Sequence, residues 1–373
     1  MIKNRKHLAM SSTLSLSMIS RVYAIILCLV VILIVFDTHS ALSRTRVTFT
    51  GPFTDTGSYE VGNQFDDILQ KNGKAIANAF AMTNISGYPL GVATLGKFPS
   101  FFVGAAGGVG LSNLDYFDHE KEVGQGVVPV GGINPLLYFG MGLSKSFDFI
   151  GKIFVYSDDF YLPEFKFESA TLTSFSFYSF GAKARYCFLK EKKIIPGLLK
   201  FGGMNVSFGV DFLYGIIGFS GSQSYPLTEI EVDPDGAGGS DPISVDMDFE
   251  PEYTAKVEWY IISITPEILT YFNVLWIFNA YLGFAFPVNF GSFEVNVDGN
   301  GEASTDDPAY TGPDPIGTVN IKTSSEYAPM VFMPVLVLGL ELALWKVYLS
   351  FETNVNLINR EDINMQLAFR IQI

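Results

Sequence analysis

The last twelve residues, 362–373, alternate without a break. Ile363, Met365, Leu367, Phe369, Ile371 and Ile373 share one parity; Asp362, Asn364, Gln366, Ala368, Arg370 and Gln372 share the other. A period of two is the mark of a strand with unlike faces. At 336–344 every even residue is leucine, and the odd ones are Val337, Gly339, Glu341 and Ala343. Segments 178–188 and 346–357 repeat the pattern. The charged parity also collects Gly, Ser and Ala, which suits a tight, water-lined lumen with lipid on the other side.

The N-terminus points the same way. Lys3, Arg5, Lys6 and Arg21 precede an apolar run over 22–36, short for a spanning helix and right for the core of a signal peptide. Cleavage after Ser43 ("ALS") is expected, with "THS" at 38–40 or an uncleaved anchor as alternatives. No later segment reads as a spanning helix; even the apolar 330s and 340s hold Pro334, Gly339 and Glu341. Apolar residues make up 48% of the chain, and export of such a chain without a helical span fits a β-barrel.

Without residues 1–43 the chain keeps 20 basic and 37 acidic residues, a formal charge of −17, which argues against nucleic acid as a partner. It keeps one cysteine, Cys187, and one histidine, His119. His119 sits in "YFDHEKE", between Asp118 and Glu120, and no serine motif supports a triad built on it. Zinc lacks ligands. An enzyme is therefore not expected.

Weaker strand candidates lie at 99–112, 134–143, 147–157, 203–218, 254–269 and 273–289. Together these ten strands start and end on one side of the membrane; a wall of about 10–12 strands is expected. A bulge near Ile261 and Ile262 would reconcile Lys256 and Glu258 with Ser263, Thr265 and Glu267 on one inner face. Short links near 144–146, 191–202, 270–273 and 345 alternate with long ones at 113–133, 158–174, 219–252 and 290–327, as periplasmic turns alternate with outer loops. Trp259, Trp276 and Trp345 are expected at the interfaces. The fold class is thus all-β, a transmembrane antiparallel up-and-down barrel over 98–373.

Residues 44–97 differ. Asp66 and Asp67 can cap a helix whose apolar positions are Phe65, Ile68, Leu69, Ile76 and Phe80. A helix over 64–82 is expected, either plugging the lumen or resting in the periplasm. A leader, a helix ahead of the first strand and a barrel with acidic outer loops resemble the FadL-type outer-membrane transporters in layout. That family's plug carries an Asn-Pro-Ala signature; the near match here, Asn134-Pro135-Leu136, lies outside the plug and is not carried over. The C-terminal strand resembles the signal read by barrel-assembly machinery, though it ends in Ile373 instead of an aromatic residue.

A polar path through the lumen would be lined by Lys183, Arg185, Asp211, Lys256, Glu258, Glu267, Glu341, Glu352 and Arg370, with Lys152 on the same side. Their mixed signs also fit pairing in a closed interior. The long links 219–252 and 290–327 are strongly acidic. Within the second, Asn296, Asp298, Asn300, Glu302 and Asp307 mimic the oxygen spacing of a calcium loop, with a Gly/Asn/Asp turn as the alternative. The expected function is passage of a small or hydrophobic solute through a narrow, plugged lumen in the outer membrane. The alternative is a surface-exposed structural or adhesin-type barrel acting through its acidic outer loops. Partners are then membrane lipid, the assembly machinery and the solute; no cofactor is expected beyond calcium.

Overall fold

The computed structural model describes residues 42–50, 72–112, 132–157, 166–167, 170–222, 225–232, 241, 243–312 and 315–373. The leader, the helix caps Asp66 and Asp67, and His119 lie outside them.

In chain order the strands begin with β1 (Leu42–Thr50), β2 (Phe101–Leu111), β3 (Gly132–Gly142), β4 (Phe147–Ser157), β5 (Lys166–Phe167) and β6 (Ala170–Leu189). Next come β7 (Lys192–Ile195), β8 (Leu199–Ser222), β9 (Tyr225–Val232), β10 (Ile243–Val274) and β11 (Phe278–Ala285). The last are β12 (Val288–Ser304), β13 (Gly317–Tyr327), β14 (Val335–Leu344), β15 (Val347–Asn356) and β16 (Ile363–Gln372). Residues 72–84, between β1 and β2, are helical and are called α1.

All pairings are antiparallel. They run β2-β3-β4-β6-β8-β10-β11-β14-β15-β16 and return from β16 to β2, so ten strands close a ring. Leu338, Leu340 and Leu344 point outward and are exposed, as are Met365, Leu367 and Phe369 of β16. Asn364, Gln366, Ala368 and Arg370 point inward and are buried. A closed ring leaves no unpaired edge in hydrocarbon, where each unsatisfied backbone group costs several kcal/mol.

Two levels bracket the wall. At one end Trp276 is 84% exposed and Trp345 88% exposed, each at the tip of a short turn. At the other, Tyr178, Tyr214 and Tyr260 face one another across β6, β8 and β10. Between Tyr260 and Val274 the strand advances about 46 Å, which at a tilt near 45° is about 33 Å of height, close to one hydrocarbon core.

Beyond the tyrosine row the sheet continues. β10 stays paired with β8 up to Glu252, while on its other side β12 takes over from β11 at Ile264; β12 pairs with β13, and β13 with β1. β9 pairs with the start of β10. Much of the two acidic links expected as loops is therefore strand. This extension has its own core, formed by Val232, Val245, Met247, Phe249, Ala303, Ile316, Val319 and Ile321.

The expected bulge is absent: β10 and β8 keep register through Ile261 and Ile262, and their shift falls at Tyr271/Phe272. The inner parity is odd throughout this stretch, with Trp259, Ile261, Ser263 and Thr265 all buried. The expectation failed because the inner face was read as polar. At this height it meets α1, which is apolar, and Phe80 stacks on Trp259 at 4.3 Å. Trp259 is thus a buried core residue, not an interfacial one.

Candidate functional site

The site is the lumen and the segment threaded through it. Gly73, at the start of α1, abuts Tyr327 near the extension. Ser86 meets Gly108, and Gly96 meets Gly142 at the short-turn end, so residues 72–96 cross the barrel from end to end. Residues 77–91 are buried without interruption. Thr83 donates to the carbonyls of Ala79 (2.8 Å) and Gly132 (3.0 Å). Asn84 donates to the Ser263 hydroxyl at 2.8 Å, and Asn78 accepts from the Met330 amide at 2.8 Å.

Below the helix the plug is an irregular segment whose backbone polar groups need partners inside the wall. Ionised side chains supply them. Lys152 Nζ pairs with Asp211 at 2.9 Å and donates to the carbonyls of Ser86 (2.7 Å) and Asn84. The Tyr88 hydroxyl donates to Asp211 Oδ1 at 2.5 Å, with Lys183 over its ring at 4.6 Å. Gly181 lets this cluster close, since a Cβ there would meet Asp211 and the Tyr88 hydroxyl.

Arg185 Nη2 pairs with Asp148 at 2.7 Å while its Nη1 donates to the Val92 carbonyl at 2.9 Å. Asp148 also accepts the Leu95 amide at 2.9 Å. Across the lumen, Glu341 accepts the Gly91 amide at 3.1 Å and both oxygens take Arg370 Nη2 at 3.0 Å. Asn279 and Ser350 complete its shell at 2.9 Å each. Arg370 lies over the Tyr348 ring at 3.7 Å. Glu352 accepts from Tyr281 at 2.8 Å and from Gln366, whose own carbonyl oxygen accepts the Gly87 amide at 2.6 Å. Lys183 pairs with Glu267 at 3.0 Å.

Of the nine residues expected along a lumen path, Lys183, Arg185, Asp211, Glu267, Glu341, Glu352 and Arg370 converge on the interior. Lys256 and Glu258 do not. They pair with each other at 2.8 Å on the outward parity, beyond the tyrosine row, because the phase of β10 does not slip. Asp148 was missed, although an aspartate between Phe147 and Phe149 on an alternating strand is the same signal as Glu341 between leucines. Asn134 is buried and donates to the Thr83 carbonyl at 3.2 Å, so it contacts the plug from β3.

The calcium-like spacing does not form a loop. Asn296, Asp298, Asn300 and Glu302 lie on β12, where alternate residues share a face but stand about 6.6 Å apart along the strand, too far to wrap one ion. Asp307 follows in the connection to β13, where it accepts the Ala309 amide at 2.8 Å. Among the described residues no group of three or more Asp, Glu, His or Cys side chains converges as a metal site.

The family model described as Lsa36-like matches residues 56–372. The chain belongs to this family. No curated protein sequence matches this Lsa36-like chain. Among solved structures it matches the translocator domain of the autotransporter NalP from Neisseria meningitidis, with 9% identity and a TM-score of 0.31, covering 86% of this chain and 98% of that one. The toluene transporter TbuX from Ralstonia pickettii shares 9% identity at a TM-score of 0.22, over 81% and 98% of the two chains. A Pseudomonas aeruginosa FadL homologue shares 8% at 0.19, over 80% and 97%. Among the described residues the strands of this Lsa36-like chain close a ten-strand antiparallel β-barrel with an apolar outer face.

Proposed function

We propose that this protein is a closed, surface-exposed barrel of the bacterial outer membrane whose working face is the acidic sheet beyond the wall. The supporting observation is a set of like charges held face to face. Glu250 lies opposite Glu302, Glu258 opposite Glu294, and Glu294 opposite Glu326. Asp246, Asp248 and Glu252 share the exposed face of β10 with Glu250. Directly opposed like charges destabilise a sheet; Glu258 is offset by Lys256 at 2.8 Å. A basic segment of a partner polypeptide would remove that repulsion on binding. The leader would export the chain, and the C-terminal strand would present it to the assembly machinery.

The filled lumen supports the same reading. Ion-paired wall side chains hydrogen-bond the backbone of the plug, and withdrawing the plug strips those partners from Lys152, Arg185 and Glu341. The test measures conductance and polycation binding on the purified protein in planar bilayers and on supported membranes. The expected result is no conductance above the bare membrane, with salt-sensitive polylysine binding that is lost in Glu250→Gln/Glu252→Gln/Glu302→Gln. Steady conductance in the wild type, or binding unaffected by the triple change, would overturn it.

The second reading is passage of a solute through the lumen. It is favoured by a cavity of about 650 Å³ at the short-turn mouth, which reaches the plug at Val92, Ala93 and Thr94. On this reading Lys183, Arg185, Asp211, Glu267, Glu341, Glu352 and Arg370 line the path once the plug shifts. Gly181→Val, which displaces Tyr88, would then raise conductance; a silent variant with wild-type gel mobility sinks the transport reading.

A further inference from the structure

The charge of the molecule is divided by height. In the connections 97–100, 143–146, 190–200, 275–277 and 345–346, which together form the short-turn end, seven lysines stand against one acid, Glu191. This is more than a third of the basic residues left after the leader, in a chain whose acids outnumber them. The largest group is "LKEKKIIPGLLK" at 189–200. Here β7 folds back on the start of β8 through Pro196 and Gly197, whose φ of 76° suits the tight reversal. The next turn docks on it: the Leu275 amide donates to the Leu198 carbonyl at 2.9 Å.

The mouth cavity lies among this hairpin, that turn and the end of the plug. Lys145, Lys190, Lys193 and Lys200 line it. Lys200 is paired with Glu191 at 2.6 Å, and no ion pair holds Lys145, Lys190 or Lys193 among the described residues. Beside Thr94 and Asn273 the lining carries exposed apolar side chains: Ile195 is 47% exposed and Leu198 48%, and Trp276 stands at the tip of the neighbouring turn. Tryptophan at this level marks the boundary between acyl chains and headgroups.

We propose that this mouth is a binding site for an anionic phospholipid of the inner leaflet, its phosphate among Lys145, Lys190 and Lys193 and its acyl chain along Ile195, Leu198 and Trp276. A free phosphate would satisfy the lysines but leave the isoleucine, leucine and tryptophan in water. A neutral lipid would cover them and leave three cations unmatched. An anionic lipid does both, and clustered lysines beside a membrane favour anionic headgroups additively. The site is at the opposite end from the acidic sheet; it rests on the membrane placement of the barrel and not on the role proposed for that sheet.

The test reconstitutes the full barrel in bilayers of equal phosphatidylcholine and phosphatidylglycerol, extracts it in mild detergent and weighs the retained lipids by native mass spectrometry. Phosphatidylglycerol should be retained roughly tenfold over phosphatidylcholine. Lys145→Gln/Lys190→Gln/Lys193→Gln should bring the ratio to parity, and the corresponding arginine variant should keep it. Brominated phosphatidylglycerol should quench Trp276, read as the difference between Trp345→Phe and Trp345→Phe/Trp276→Phe proteins. Heat-modifiable gel mobility checks that each variant is folded. Equal retention in the wild type, a preference that survives the glutamines, or one lost with arginine as well would overturn the site. Displacement of the lipid by millimolar inorganic phosphate would reassign it to a soluble anion and overturn the lipid.

Discussion

The lumen and the outer extension solve the same problem with opposite chemistry. In the lumen the inward parity is charged and amide-rich, and buried ion pairs hold the plug through Lys152, Arg185 and Glu341. In the extension the inward parity is Val245, Met247, Phe249, Val319 and Ile321, and the charges Asp246, Asp248, Glu250, Glu252, Glu302, Lys322 and Glu326 are on the outside. Both regions use β10. Its even residues face lipid at Tyr260 and Ile262 and water at Asp248 and Glu250. Its odd residues face a plug at Trp259 and an ordinary apolar core at Phe249. A parity therefore carries no fixed meaning along a long strand. What it faces depends on height.

The difference has an energetic side. An apolar core loses stability in proportion to what is removed. A buried ion pair is nearly neutral as a whole and costly when halved. The two regions should thus respond differently to the same kind of damage, and the sharpest test is Arg370→Ala. It leaves Glu341 buried with its charge unmatched, and about 3–5 kcal/mol of stability should be lost. Urea unfolding in micelles, followed by gel mobility, would measure it. Replacing both partners, as Arg370→Met with Glu341→Leu, should recover most of that loss. Recovery of none of it would mean that the Gly91, Asn279 and Ser350 bonds to Glu341 matter more than the pair.

The matching cut in the extension is Phe249→Ala, with an expected cost of about 3 kcal/mol that stays local. Proteolysis should open 243–258 and 294–304 while the ten-strand wall keeps its folded gel mobility. Loss of both together would show that the regions form one cooperative unit and would erase the contrast drawn between them.

This contrast also explains what was legible beforehand. The wall was, because its two solvents, lipid and lumen, differ most: the leucines at 336–344 and the parity of 362–373 need no partner to be read. Seven interior charges followed from the same parity. The extension was not legible, because Asp246, Asp248, Glu250 and Glu252 look like a solvated loop until β12 is laid beside them. Nor was the phase of β10, since Trp259 and Ile261 read as lipid-facing unless α1 is known to fill the lumen at that height. The irregular half of the plug, 85–97, carries no periodicity at all; its order comes from wall side chains that bind its backbone.

A gain should be available on the outer face. Glu302→Lys turns the Glu250–Glu302 pair into an attractive one and should stabilise the extension by about 0.5 kcal/mol, seen as slower proteolysis of β12 and β13. The same change should weaken polylysine binding. A variant that is stabler and still binds would separate the acidic face from the proposed function.

The smallest effect is expected where the two regions are furthest from view, in the link between β15 and β16. Asp362 accepts from Ser112 at 2.7 Å and from Asn356 and Asn359 at 3.0 Å each, tying the end of β2 to this turn. Burial outweighs these donors and raises its carboxyl above the ordinary value. An acid with a raised pKa keeps its proton to higher pH in the folded state than in the unfolded one. Its ionisation therefore removes stability as pH rises through the folded pKa, and restores it on acidification. Asp362→Asn should abolish this contribution. The wild-type stability minus that of the variant, measured in urea from pH 7 down to pH 4, should become more favourable to the wild type as pH falls. An opposite slope would mean that the three donors hold the carboxylate more firmly than burial disfavours it, which would make this turn, like the lumen and unlike the extension, a place where charge is stabilised inside the fold.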